Sequence, residues 1–84
     1  MKITVFIVKH GYTWEGYSIK GIFLFAKSAL KRAKKISKGI DGIRRAHLGR
    51  DRIMEGTIAI WEDPDKNTGS LEYVMIAKHE VELW

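Results

Sequence analysis

Strand-like apolar patterning occupies both ends of this chain, and a helical period interrupts it in the middle. Lys2 to Val8 is rich in Ile, Val, Thr and Phe, residues that suit a pleated strand. Ile3, Val5 and Ile7 share one side and Phe6 and Val8 the other, which predicts a strand covered on both faces. His10 to Gly16 reads as a turn region with two glycines. Tyr17 to Phe25 then resumes the alternation, with Tyr17, Ile19, Phe23 and Phe25 on one side and Ser18 and Lys20 on the other. The two segments make a hairpin.

From Ala26 the period changes to that of a helix. Ala26, Ala29, Leu30, Ala33 and Ile36 recur every three or four residues, a narrow apolar stripe that predicts a main helix over about 27–38. Gly39 is a natural terminator. Residues 40–51 are not patterned for either element. Ile40, Ile43 and Leu48 need anchoring, and a short second helix over about 43–50 is one option. Arg52 to Glu62 and Leu71 to Leu83 read as strands joined by Asp63-Pro64-Asp65-Lys66-Asn67-Thr68-Gly69-Ser70, a run of turn formers. In the last strand Leu71, Tyr73, Met75, Ala77, Val81 and Leu83 share one side, and Val74 and Ile76 the other. The expectation is a single α+β domain over 1–84: a four-stranded antiparallel sheet in ββαββ order with one main helix on one face.

That architecture leaves a deficit. One helix cannot cover both sides of a sheet whose strands are apolar on both sides. The second face, with Phe6, Val8, Trp61, Val74 and Ile76, then needs residues 40–51, a partner or a second copy over it. Folding over by 40–51 and dimerisation are given equal weight, and a homodimer or obligate complex is the expectation carried forward.

Composition sets bounds. With 84 residues, 45% apolar and 30% charged, the chain is an ordinary small globular domain. No apolar run reaches the roughly 20 residues that span a bilayer. The N-terminal apolar run lacks the cleavage site of a signal peptide, and there is no cysteine, so a cytoplasmic location is expected, without disulfides or thiolate metal sites.

Charge changes the picture more. Residues 27–52 hold ten of the fifteen Lys and Arg and two acids, Asp41 and Asp51, for a net +8. Residues 1–26 sum to +2 and residues 53–84 to −5, which together give the net +5. Segregated charge of this kind steers association with polyanions. The cations nominated for binding are Lys27, Lys31, Arg32, Lys34, Lys35, Lys38, Arg44, Arg45 and Arg50, with Tyr12, Trp14, Tyr17 and Trp61 as stacking or partner contacts. A Lys-rich helix face often serves only solubility. Here the helix has no Asp or Glu to form i,i+4 pairs, so its cations repel one another unless an anion binds or Glu72, Glu80 and Glu82 lie close by.

Other chemistry is thin. Asp63-x-Asp65-x-Asn67 begins like a calcium loop, but Thr68 and Val74 stand where Gly and Glu are needed. Gly39-Ile40-Asp41-Gly42 has the spacing of a KH backbone clamp, but Asp41 would face phosphate, and a helix cap with a turn explains both glycines. His10, His47 and His79 lack metal-like spacing. His79 is placed on the apolar side of the last strand and His47 among the arginines. No nucleophile motif, paired carboxylate or phosphate-cradling loop is present. No catalytic residue, metal or cofactor is therefore expected, and the chain reads as a non-enzymatic binding protein.

Val5-Phe6-Ile7-Val8, His10, Tyr12, Glu15, Gly21-Ile22-Phe23, Ala29 and Ala33, with Leu83-Trp84 at the end, resemble a group of small uncharacterised phage and mobile-element proteins. The resemblance covers about half the chain. It implies a strand, a His-x-Tyr turn, a second strand and a helix, and it implies no activity. Two departures stand out: Leu24-Phe25 replaces the Ser or Thr expected at the helix cap, and the helix is basic rather than mixed. With the charge pattern, this leads to a phage-type, inhibitor-like protein whose basic helix docks on an acidic host-protein surface. Direct DNA or RNA binding through the same cations is the alternative.

Overall fold

The computed structural model describes residues 1–13, 15–63 and 72–83. Its strands and helices run β1 (Lys2–Tyr12), β2 (Gly16–Phe23), α1 (Ala26–Lys38), β3 (Arg44–Arg45), α2 (Arg50–Met54), β4 (Thr57–Glu62) and β5 (Glu72–Glu82). The protein is a small α+β domain with an open, antiparallel five-stranded sheet in the order β2-β1-β5-β4-β3 and one main helix. The four-strand ββαββ expectation is therefore corrected by one short strand. The hairpin loop proposed at 63–70 lies almost entirely outside the described residues.

The additional strand arises in the unpatterned segment. Arg44 and Arg45 pair with Glu62 and Trp61, the Ala46 N–H donates to the Ile60 carbonyl at 2.9 Å, and the Arg45 guanidinium lies 5.6 Å from the Trp61 ring centroid. These contacts hold 44–46 extended against β4, so the second helix begins only at Arg50. Its turn then takes the residues expected to open the next strand. Gly56, at φ +94, ends that turn, and its carbonyl accepts the Lys78 N–H at 2.7 Å. The strand consequently starts at Thr57 rather than Arg52.

The first hairpin is longer than the turn residues suggested. β1 runs through His10 and Gly11 to Tyr12, because Gly11 has no side chain. A Cβ there would lie 2.2 Å from the Gly16 carbonyl oxygen and 2.6 Å from the Tyr17 Cα. Val8 faces Gly21 while Lys9 faces Ile19, so Lys20 bulges out of β2. The bulge reverses the alternation: Tyr17 and Ile19 point to one face and Phe23 to the other, where the sequence placed all three together. Phe23 folds its ring over Gly21, filling the space a side chain would take.

α1 covers the face that the sequence left bare. Cross-strand pairs put Phe6, Val8, His10, Val74, Ile76, Ala59, Trp61 and Phe23 on one side. Ala29 and Ala33 pack there, with Leu30, Ile36, Ile40 and Ile43 closing the edges. Two alanines let the helix approach closely, and Val8, Val74 and Ile76 are fully buried. The opposite face carries Ile3, Val5, Ile7, Ile19, Ile22, Met75 and Val81. α2 reaches over this face from its β4 side, where the Arg52 guanidinium donates to Glu62 at 3.3 Å and Arg52 and Glu55 line a recess with Ile60, Tyr73 and Met75; Val5, Ile60 and Ala77 are buried on this face. Cover from 40–54 is thus split between the two sides.

Beyond the Phe6–Phe23 and Thr57–Ala77 pairs, β1 and β5 continue alone as a two-stranded ribbon, closed by Leu83 N–H to Met1 carbonyl at 2.8 Å. His79 lies on this ribbon, on the side of Ala77 and Val81 as expected, and is exposed rather than packed in the core.

Candidate polyanion-binding surface

α1 begins without help from a side chain. Phe25 occupies the cap position with extended backbone, and its carbonyl takes the Ala29 N–H at 3.3 Å. At the other end Lys35 and Lys38 sit in the last turn, where cations complement the free carbonyls. With Ala29, Ala33 and Ser37 turned to the sheet, Lys27, Lys31, Arg32, Lys34, Lys35 and Lys38 are all exposed. Thirteen residues at about 1.5 Å each make this a basic rod of roughly 20 Å.

The internal neutralisation considered from sequence does not occur among the described residues. Glu72 instead accepts a hydrogen bond from His10 Nε2 at 2.7 Å, and Glu62 pairs with Arg52. Among the described residues no lysine of α1 forms an ion pair. Arg32 alone is partly engaged, its Nε donating to the Lys20 carbonyl at 3.3 Å, which latches α1 to the β2 bulge. Glu80 and Glu82 stand on the exposed ribbon.

The other nominated residues divide. Arg44, Arg45 and Arg50 are exposed, but Arg45 is stacked over Trp61 and Arg44 faces Glu62 across the strands. Trp61 is 6% exposed and belongs to the core, so an external partner cannot stack on it. Tyr17 is exposed on the face opposite α1, with the Lys9 ammonium 4.5 Å from its ring centroid. Tyr12 is exposed at the end of the first hairpin, its ring centroid 6.4 Å from that of His10. These tyrosines are not brought onto the basic helix as a stacking platform, and Trp14 lies outside the described residues.

Two exposed residues at the start of the helix were not nominated. Leu24 is 62% and Phe25 71% exposed, at the corner where the chain leaves β2 and enters α1. The sequence signal was the apolar pair standing where a polar cap belongs.

The His10–Glu72 pair was also missed, since nothing in the sequence connects residues 62 positions apart. His10 borders an open recess of about 340 Å³ with Tyr12, Glu15, Ser18 and Lys20. The pair orients the imidazole, but no group of three His, Cys, Asp or Glu suited to a metal ion occurs among the described residues. Gly39 and Ile40 donate their N–H groups to Ile36 and Ser37, so the Gly39–Gly42 segment terminates the helix. Of the three side chains that open the calcium-like loop, Asp63, Asp65 and Asn67, only Asp63 falls within the described residues, and Val74, where the closing Glu would stand, is buried in the core. No helix among them is long and apolar enough to cross a membrane.

Comparison with known protein families, curated proteins and solved structures finds no match to this chain.

Proposed function

We propose that the protein is a small non-enzymatic binding module that docks α1 on an acidic protein surface. The observation that carries this reading is a helix face with six exposed cations, no acid and, among the described residues, no ion pair, flanked by Leu24 and Phe25. Cations supply steering and orientation, while an exposed aromatic next to them supplies the anchor that concentrates binding energy at protein interfaces. A phosphate backbone rewards the cations but not the leucine. The phage-like N-terminal half fits a mobile-element inhibitor acting in the host cytoplasm, and a second copy of the chain would double the basic surface.

The test measures binding of the purified protein to polyglutamate, to an acidic-aromatic peptide and to a DNA duplex. The proposal expects tight binding to the acidic peptide, lost in the triple variant K27E/K31E/K35E and weakened about tenfold or more in Phe25→Ser. If duplex binding dominates, falls by orders of magnitude between about 50 and 200 mM salt, and ignores Phe25→Ser, the nucleic-acid alternative replaces it. No binding to any of the three at low salt ends both readings.

A further inference from the structure

The sheet face turned away from α1 carries the second surface of consequence, and it stands independently of what the helix binds. Where β2, β1 and β5 lie side by side, this face presents Ile7, Ile19, Ile22 and Met75, with Ile3 and Val81 on the ribbon beyond and Val5 and Ala77 buried between them. Ile22 is 60% and Ile19 53% exposed. α2 shields the β4 side, its Arg52 and Glu55 reaching a recess shared with Tyr73 and Met75. The face continues onto the two-stranded ribbon, and an isolated ribbon of two strands is marginal in water.

We propose that a second copy of this chain covers this face, open side to open side about a two-fold axis. Area is the first argument. Seven residues of β1 lie between β2 and β5 and four more pair with β5 alone, so at about 3.4 Å per residue and about 4.8 Å between strands the platform is roughly 24 by 14 Å, extended by a ribbon of roughly 14 by 10 Å. Its projected area is on the order of 500 Å², and a pleated surface studded with side chains exceeds its projection. That approaches the roughly 800 Å² per partner of a standard stable interface.

Charge is the second argument. On the β2, β1 and β5 part of this face the described residues include no acid, and the one Lys, Lys9, rests on Tyr17. An acidic partner finds no complement there, whereas an identical apolar surface does. Open-face stacking also puts both basic helices on the outside. With layers about 10 Å apart, the two α1 rods stand roughly 30 Å from each other, well beyond the screening length of about 8 Å at physiological salt. Two copies meeting helix to helix would instead confront six cations with six. In a two-fold interface every apolar contact is made twice.

Sedimentation equilibrium at micromolar concentration tests this. The wild-type chain is expected at about twice its 9.7 kDa mass, and Ile22→Glu and Ile19→Glu are each expected to raise the dimer dissociation constant at least thirtyfold or so. Both positions are more than half exposed, so far-UV circular dichroism should show the fold retained. Met54→Glu, exposed on α2, should leave the dimer intact. A wild-type monomer, a dimer indifferent to both isoleucine variants, or a dimer that tightens steeply with salt as like charges are screened would each overturn the proposal. The K27E/K31E/K35E variant should still dimerise, which separates this interface from the helix reading.

Discussion

The two faces of the sheet are built from the same kinds of side chain and are covered to different extents. Under α1, Val8, Val74 and Ile76 lose all contact with water, because Ala29 and Ala33 allow the helix to sit close. On the other side Val5, Ile60 and Ala77 are buried too, but Ile19, Ile22 and Val81 keep between a third and two-thirds of their surface exposed. Hydrophobicity does not distinguish them. The difference is made at Leu24 and Phe25, where the chain leaves β2 and turns to one side, and by the bulge at Lys20 that sends Phe23 to that same side. Burial here is a property of the connection, not of the strand.

The sharpest way to break this comparison is to truncate one residue on each face. Ile76→Ala should cost about 2–5 kcal/mol in urea unfolding. Ile22→Ala, measured at dilution where the chain is monomeric, should cost less than about 1 kcal/mol, in line with an exposed site. Equal losses would mean that the open face is covered within one chain. Overpacking comes next: Ala33→Leu pushes the helix off Val8 and Ile76 and should cost about 1–3 kcal/mol, visible as a lower thermal midpoint.

A smaller effect is expected where the covered face meets its polar end. His10→Gln or Glu72→Gln weakens the 2.7 Å hydrogen bond between β1 and β5 and should cost about 1 kcal/mol in the same unfolding assay. A double-mutant cycle with a coupling near zero would show that the pair adds nothing. Least of all should stability respond on the outer side of α1. Lys31→Glu, which pairs with Lys27 and Lys35 at i,i−4 and i,i+4, should change stability by only a few tenths of a kcal/mol, and in the stabilising direction. A marked loss would place that lysine in a structural contact.

Much of the fold was legible because it depends on local pattern. The helix stripe from Ala26 to Ile36, its basic outer face and the strand character of β1 and β5 follow from spacing and residue type alone. What was not legible depends on pairs of distant residues. Arg45 over Trp61 turned a suspected helix into a strand, and Gly56 bonding to Lys78 delayed the start of β4. The choice of covered face was misjudged because a strand apolar on both sides gives no sign of which side the next helix takes. The basic surface could be read as a list of residues, but its boundaries could not. Trp61 was lost to the core, while Leu24 and Phe25 were overlooked because a corner is invisible to a periodicity of two.

The pairing of β1 with β5 carries a consequence for how the molecule comes into being. Lys2 faces Glu82 and Tyr12 faces Glu72 at the centre of the sheet, so the middle of the structure is assembled from opposite ends of the sequence. Such non-local pairing slows folding, because the intervening chain must be closed into a loop before any contact rewards it. During synthesis β1 and β2 emerge as a hairpin with apolar residues on both sides and no central neighbour until residues 72–82 leave the ribosome. The nascent hairpin is therefore a target for chaperones or for premature pairing with another nascent chain. A variant that brings β5 next to β1 in sequence by circular permutation should fold faster than the natural order, even if its final stability is unchanged.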